Sequence, residues 1–128
     1  MDTLREVENA RQRAGEPRRR WFTSERLDLI VWADDAGRPI GFQLCYDKPT
    51  AEHALTWTPE TGFAHTGVDD GQDVGLGHKA SPILVPDGDF DLEHLEQTFG
   101  DASLRLPADV TAFVADALKR HPQRRDRV

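Results

Sequence analysis

The sequence has very little cysteine and no long apolar segment. A single cysteine, Cys45, among 128 residues excludes a disulfide framework and a zinc site built from several cysteines. No apolar run approaches the roughly 20 residues of a membrane-spanning helix, and the N-terminus lacks the apolar core of a signal peptide. These absences predict a cytoplasmic protein without a membrane partner.

Length and composition predict one globular domain. The chain has 38% hydrophobic and 30% charged residues, which is polar but outside the disordered range. A chain of this length buries roughly two-thirds of its unfolded surface and holds a core without metal or disulfides. We predict a single α+β domain over residues 1–122 and a flexible basic tail over residues 123–128.

Charge is distributed unevenly along the chain. The formal net charge is -7, but residues 21–118 hold only five basic residues against 18 acidic ones, a net of -13. Residues 1–20 and 119–128 carry net charges of +2 and +4. This pattern is typical of a nucleic-acid arm, of an acidic surface for a partner, or of basic ends that fold back on an acidic body. We favour the last interpretation.

Two consecutive hairpins and a short strand are predicted before the last third of the chain. Residues 27–46 alternate in hydropathy on both sides of a turn that ends at Gly37. His53–Thr58 and Phe63–Val68 form the second hairpin, whose turn contains proline and glycine. Pro82–Val85 is a short apolar strand.

The register of the second hairpin decides where its histidine points. If Thr58 pairs with Phe63, then His65 lies on the face opposite to Leu55. A bulge at Gly62 would shift the pairing by one residue. We take the register without the bulge as the expectation.

Helices are predicted at both ends of the chain. The spacing of Leu4 and Val7 favours a short helix over residues 2–14. Asp91 is suited to cap a helix that Gly100 ends. The last helix has the clearest buried stripe, made of Val110, Phe113, Val114, Ala117 and Leu118.

This order of elements predicts an α+β fold. An antiparallel sheet of about five strands would carry the short N-terminal helix, with the two C-terminal helices packed on it. We expect the sheet aromatics to pack against these helices, namely Trp21, Trp32, Phe42, Tyr46, Trp57 and Phe63. Both faces of the first hairpin are apolar, so the second face should be covered by the N-terminal helix or a second subunit.

Carboxylates and imidazoles are concentrated in the stretch from residue 65 to residue 79. The candidate metal ligands are His65, Asp69, Asp70 and His78. In an extended strand His65 and Asp69 would be about 13 Å apart, so a shared ion requires a bend at Gly67. We favour a solvated acidic loop here, and no motif in the chain indicates a cofactor or a coherent catalytic set.

Arginines near the two ends are the candidate nucleic-acid contacts. They are Arg18, Arg19, Arg20, Arg124 and Arg125. The sheet segment between them is acidic, which disfavours stacking of bases on its aromatic side chains. Any nucleic-acid binding would therefore be confined to the termini.

Residues 21–88 resemble a family of small bacterial proteins of unknown function. The segments that carry the resemblance are GFQLCYDK at 41–48, ALTW at 54–57 and SPILVPDG at 81–88. The resemblance implies a compact, free-standing bacterial domain and brings no catalytic residues with it.

Three classes of function follow from these observations. The leading hypothesis is a non-enzymatic binding or protein-interaction module, whose partner is another protein or a second copy of the chain. The first alternative is a metal-dependent or small-molecule enzyme that uses His65–Lys79. The second alternative is nucleic-acid binding through the basic termini.

Overall fold

The computed structural model describes residues 2–47, 53–69, 83–86 and 90–121, which form an antiparallel sheet and two helices. The strands are β1 (Arg5–Glu6), β2 (Arg18–Thr23), β3 (Asp28–Ala33), β4 (Pro39–Tyr46), β5 (His53–Thr58), β6 (Gly62–Asp69) and β7 (Ile83–Pro86). The helices are α1 (Leu92–Ala102) and α2 (Ala108–Lys119). The predicted α+β fold is confirmed.

The sheet is a meander in which each strand pairs with the next one along the chain, in the order β1 to β7. It exceeds the predicted five strands by β2 and by the two-residue β1. The sequence does not predict β2 because three consecutive arginines hide its alternation. The strand nevertheless pairs with β3 along its whole length, from Arg18 opposite Ala33 to Thr23 opposite Asp28.

The predicted N-terminal helix over residues 2–14 is wrong. The backbone N–H of Leu4 donates to the Ala102 carbonyl at 2.9 Å, and that of Val7 donates to the Trp21 carbonyl at 2.8 Å. Leu4 is fully buried, so the segment is held by tertiary packing and by pairing with the edge of β2. A helix with so thin an apolar stripe is marginal alone, and docking of Leu4 outweighs its propensity.

The first hairpin forms as predicted, from β3 and β4. Its turn places Gly37 at a φ of 84°, in the left-handed region that glycine adopts without strain. The Asp34 carboxylate accepts hydrogen bonds from the backbone N–H groups of Ala36 and Arg38, each at 2.9 Å. The bond from Arg38 is the largest cause of the lowered pKa of Asp34.

The second hairpin forms with the shifted register, so the expected pairing of Thr58 with Phe63 is wrong. Thr58 pairs with Gly62, and Leu55 pairs with His65. Gly62 adopts a φ of 72°, the left-handed conformation typical of a glycine bulge. His65 consequently lies on the same face as Leu55, opposite to the expected face.

Both helices pack on this face, which we call the core face. Asp91 caps α1 as predicted, since its carboxylate accepts from the backbone N–H of His94 at 3.0 Å. The helix continues past the expected stop at Gly100 to Ala102. The helices and strands share one hydrophobic core, whose largest members include Phe22, Leu29, Phe42, Leu44, Leu55, Leu95, Phe99 and Leu118.

Candidate functional site

Six rings meet on the core face where strands β4, β5 and β6 approach the ends of the two helices. We call this group the aromatic cluster; its members are Tyr46, His53, Phe63, His65, Phe90 and His121. The register places Tyr46 opposite His53. Phe90 comes just before the Asp91 cap of α1, and His121 follows the last turn of α2.

His65 is the centre of the aromatic cluster. Its ring stacks on Phe90 at a centroid distance of 4.1 Å and an interplanar angle of 13°. On another side it stacks on His53 at 5.5 Å and 6°. The Tyr46 hydroxyl shares a hydrogen bond with its Nε2 atom. The rings therefore hold β4, β5 and β6 against the N-terminal end of α1.

His121 joins the aromatic cluster to the end of α2. It lies 4.7 Å from Phe63 and 5.2 Å from Phe90, measured between ring centroids. Burial, and to a smaller extent the neighbouring His65, lowers the pKa of His121. The neutral imidazole is therefore favoured, and the ring behaves largely as an apolar packing group.

A tyrosine hydrogen-bonded to histidine can transfer protons if a substrate reaches it. Tyr46 is only 8% exposed, and its partner His65 is half-buried and stacked on two rings. No group of three or more histidine, cysteine, aspartate or glutamate side chains within the described residues is arranged to hold a metal ion. Packing is the role that the contacts of the cluster support.

The four candidate metal ligands are not brought together as a set. His65 and Asp69 both belong to β6, which stays paired with its neighbours through Gly67. The bend that a shared ion requires at Gly67 is therefore not formed. Asp70 and His78 lie outside the described residues.

The three N-terminal arginines do not form one patch. Pairing in β2 places Arg19 opposite Trp32 on one face, and Arg20 opposite Val31 on the other. The Arg20 guanidinium forms hydrogen bonds of 2.8 and 2.7 Å with the Glu6 carboxylate. Arg19 pairs with Glu16 at 3.3 Å, and only 15% of its side chain is exposed. Arg124 and Arg125 lie outside the described residues.

The face of the sheet turned away from α1 and α2 carries a row of uncharged side chains. Register pairs place Trp21, Ile30, Gln43, Thr56 and Ala64 side by side across β2 to β6. We call this the outer face. Trp21 is 38% exposed, and Ile30, Gln43 and Thr56 are half-buried. The expectation that the sheet tryptophans all pack against the helices is wrong for Trp21 and Trp32. Strand alternation places Trp21 on the face opposite to buried Phe22, and Trp32 on the face opposite to buried Val31.

The outer face is not covered by the predicted N-terminal helix. The side-chain amide of Gln12 instead bonds to both backbone groups of Arg19, each at 2.8 Å, and so extends the edge of β2. Beyond it, the chain turns back at Glu16 and Pro17 toward Trp32. This turn leaves a cleft next to the row of uncharged residues.

The cleft has a volume of about 260 Å³, and we call it the Trp32 cleft. Its apolar lining consists of Pro17, Trp32, Ile40, Gly41 and Pro59, and Glu16 and Glu60 also line it. No local sequence pattern predicts this cleft, because its residues come from three separate segments of the chain. Their proximity depends on the turn before β2, the bulge between β3 and β4, and the turn after β5.

Comparisons of the chain with protein-family models, with curated proteins and with solved structures give no match. The resemblance described for residues 21–88 therefore stays a prediction. No helix among the described residues is long and apolar enough to cross a membrane.

Proposed function

We propose that the protein is a binding module that recognises a partner protein through its outer face. The observation that carries the proposal is the uncharged row from Trp21 to Ala64 in a chain whose central body has a net charge of -13. The helices occupy the opposite face of the sheet, so the row takes no part in the hydrophobic core.

The composition of the row suits a protein interface. Interface centres are depleted of charge and enriched in aromatic residues, and tryptophan often contributes much of the binding energy. Trp21 supplies such a residue, and Gln43 and Thr56 supply hydrogen-bonding groups beside it. Thr56 donates to the Gln43 side chain at a long 3.4 Å. Both side chains can therefore exchange this weak contact for a partner's polar groups.

The two alternative functions receive less support from the described residues. Nucleic-acid binding needs arginines that can reach phosphates, whereas Arg19 and Arg20 are paired with carboxylates. An enzyme based on His65 needs a substrate to reach that ring, which is half-buried and stacked on His53 and Phe90.

A photo-crosslinking experiment tests the proposal. A photoreactive phenylalanine analogue replaces Trp21 in one variant and the exposed Glu93 of α1 in another. Both variants are irradiated in a lysate of cells that naturally express the protein. We expect a discrete adduct from position 21 and none of the same mass from position 93. An adduct of twice the chain mass would identify a second copy as the partner.

A matched pair of substitutions separates specific from incidental adducts. Ala64→Arg places a charge at the end of the uncharged row. Ala112→Arg makes the same change at an exposed position of helix α2. Ala64→Arg should reduce the position-21 adduct by about tenfold or more, and Ala112→Arg should leave it unchanged. Equal adduct in both variants, or no adduct from position 21, would overturn the proposed function.

A further inference from the structure

The Trp32 cleft has a volume suited to one long side chain. Its volume of about 260 Å³ is below the roughly 300–1,000 Å³ typical of small-molecule sites. The cleft is open to solvent on one side, and Trp32 lies on the outer face two residues along β3 from Ile30, the strand partner of Trp21. A partner bound to the outer face would therefore lie within reach of it.

Glycine at position 41 keeps the floor of the cleft open. A Cβ atom on Gly41 would lie 3.0 Å from the Trp57 carbonyl oxygen and 3.4 Å from the Trp32 ring. The absence of a side chain lets the indole of Trp32 lie close to the β4 backbone. The Trp32 indole thereby forms part of the lining of the cleft.

The lining of the cleft matches a side chain with an apolar stem and a cationic head. Trp32, Pro17 and Pro59 offer apolar contact to methylene groups, and an indole attracts a cation over its ring. Two acidic residues, Glu16 and Glu60, are also among the residues that line the cleft. Glu16 already contacts Arg19, whereas Glu60 forms no ion pair within the described part of the chain.

The protein uses the same pairing of guanidinium and ring elsewhere. The Arg20 guanidinium lies 5.2 Å from the Phe22 centroid, and that of Arg120 lies 5.5 Å from the Trp57 centroid. The net charge of -13 over residues 21–118 would in addition attract a basic segment and repel an acidic one. Local chemistry and overall charge thus favour the same class of ligand.

We infer that the Trp32 cleft receives an arginine or lysine side chain from a basic segment of the partner protein. This inference rests on the proposed function, which it deepens by naming the chemistry of the partner. The head group would lie near Glu60, and the stem would lie along the Trp32 indole.

The probe is a synthetic peptide with several arginines in a glycine–serine background. Its control is the same peptide with citrulline at each arginine, because citrulline keeps the shape and removes the charge. Binding to the full chain is followed by the three tryptophan indole N–H signals in ¹⁵N-labelled protein. We expect a saturable shift of the Trp32 signal with the arginine peptide and none with the citrulline peptide.

Two pairs of variants define the site. Trp32→Leu, followed by the backbone amide signal of Gly41, should abolish saturable binding, and Leu104→Ala in the exposed turn between the two helices should retain it. Glu60→Gln should weaken binding about fivefold, whereas Glu93→Gln on α1 should not. The two glutamate variants keep the test decisive if Trp32→Leu fails to fold.

Several results would overturn the inference. They are equal binding of both peptides, no saturable shift at millimolar peptide, or no effect of Glu60→Gln. A variant in which the chain's own Arg124, Arg125 and Arg127 are neutralised is compared with the wild type without peptide. A change in its Trp32 indole signal would assign the cleft to the basic tail instead of a partner. Loss of the crosslinked adduct in Ala64→Arg with no arginine binding would refute this inference alone and leave the proposed function standing.

Discussion

Replacing Leu4 with alanine should destabilise the protein strongly, although this residue lies only three positions from the N-terminal methionine. Its side chain is fully buried, and its backbone N–H donates to the Ala102 carbonyl at the end of α1. A buried Leu→Ala change costs about 2–5 kcal/mol, the sum of lost transfer free energy and the cavity left behind. For a domain with a typical stability of about 5–15 kcal/mol, that is a large fraction.

The measurement is urea unfolding followed by tryptophan fluorescence. With a slope of about 1–3 kcal/mol/M for a domain of this size, the midpoint should fall by on the order of 2 M. Leu104→Ala is the matched control, since Leu104 is 71% exposed and should change stability by less than about 0.5 kcal/mol. If both variants unfold at the wild-type midpoint, the N-terminal segment does not dock as described, and the reasoning about β1 fails.

Three further predictions concern a cap, a turn and a buried histidine. Asp91→Ala removes the bond to the His94 N–H and should cost about 1 kcal/mol in urea unfolding; no loss would mean that water replaces the cap. Gly37→Ala meets no neighbouring atom, yet should cost about 1 kcal/mol because φ is 84°; a neutral result would mean that the turn changes type. The pKa of His121 is lowered in the folded protein from its ordinary value of about 6.5. Below about pH 6.5, the unfolded chain therefore binds more protons at this histidine than the folded protein does. The contribution of His121 to the free energy of unfolding should therefore be fully present above that pH and decrease as the pH drops below it. His121→Phe should make the decline shallower, and an unchanged pH profile would contradict the assignment.

Regular periodicity explains which elements could be predicted from the sequence. The α2 stripe repeats at helical spacing, and its members Val110, Val114, Ala117 and Leu118 are buried as expected. The alternation of β3 likewise predicts its buried residues, because one face of that strand is buried along its whole length. These elements carry enough local information to specify both their type and their orientation.

Elements held by long-range contacts could not be predicted in this way. Residues 2–14 carry a weak helical pattern, but Leu4 packs into the core and Val7 pairs with Trp21 on β2. The partners are supplied by residues distant in the sequence, so no local pattern records them. The Trp32 cleft is hidden for the same reason, since three separate segments line it.

Gly62 shows how a single turn residue determines which candidate site the protein has. Its left-handed conformation shifts the pairing of β5 and β6 by one residue and turns His65 to the core face. In the unshifted register this histidine would have faced the same side as Gln43 and Thr56, and the outer face would have carried an imidazole. The bulge instead places His65 in the aromatic cluster and leaves the outer row uncharged. The same backbone feature thus weakens the case for an enzyme based on His65 and strengthens the case for a binding surface.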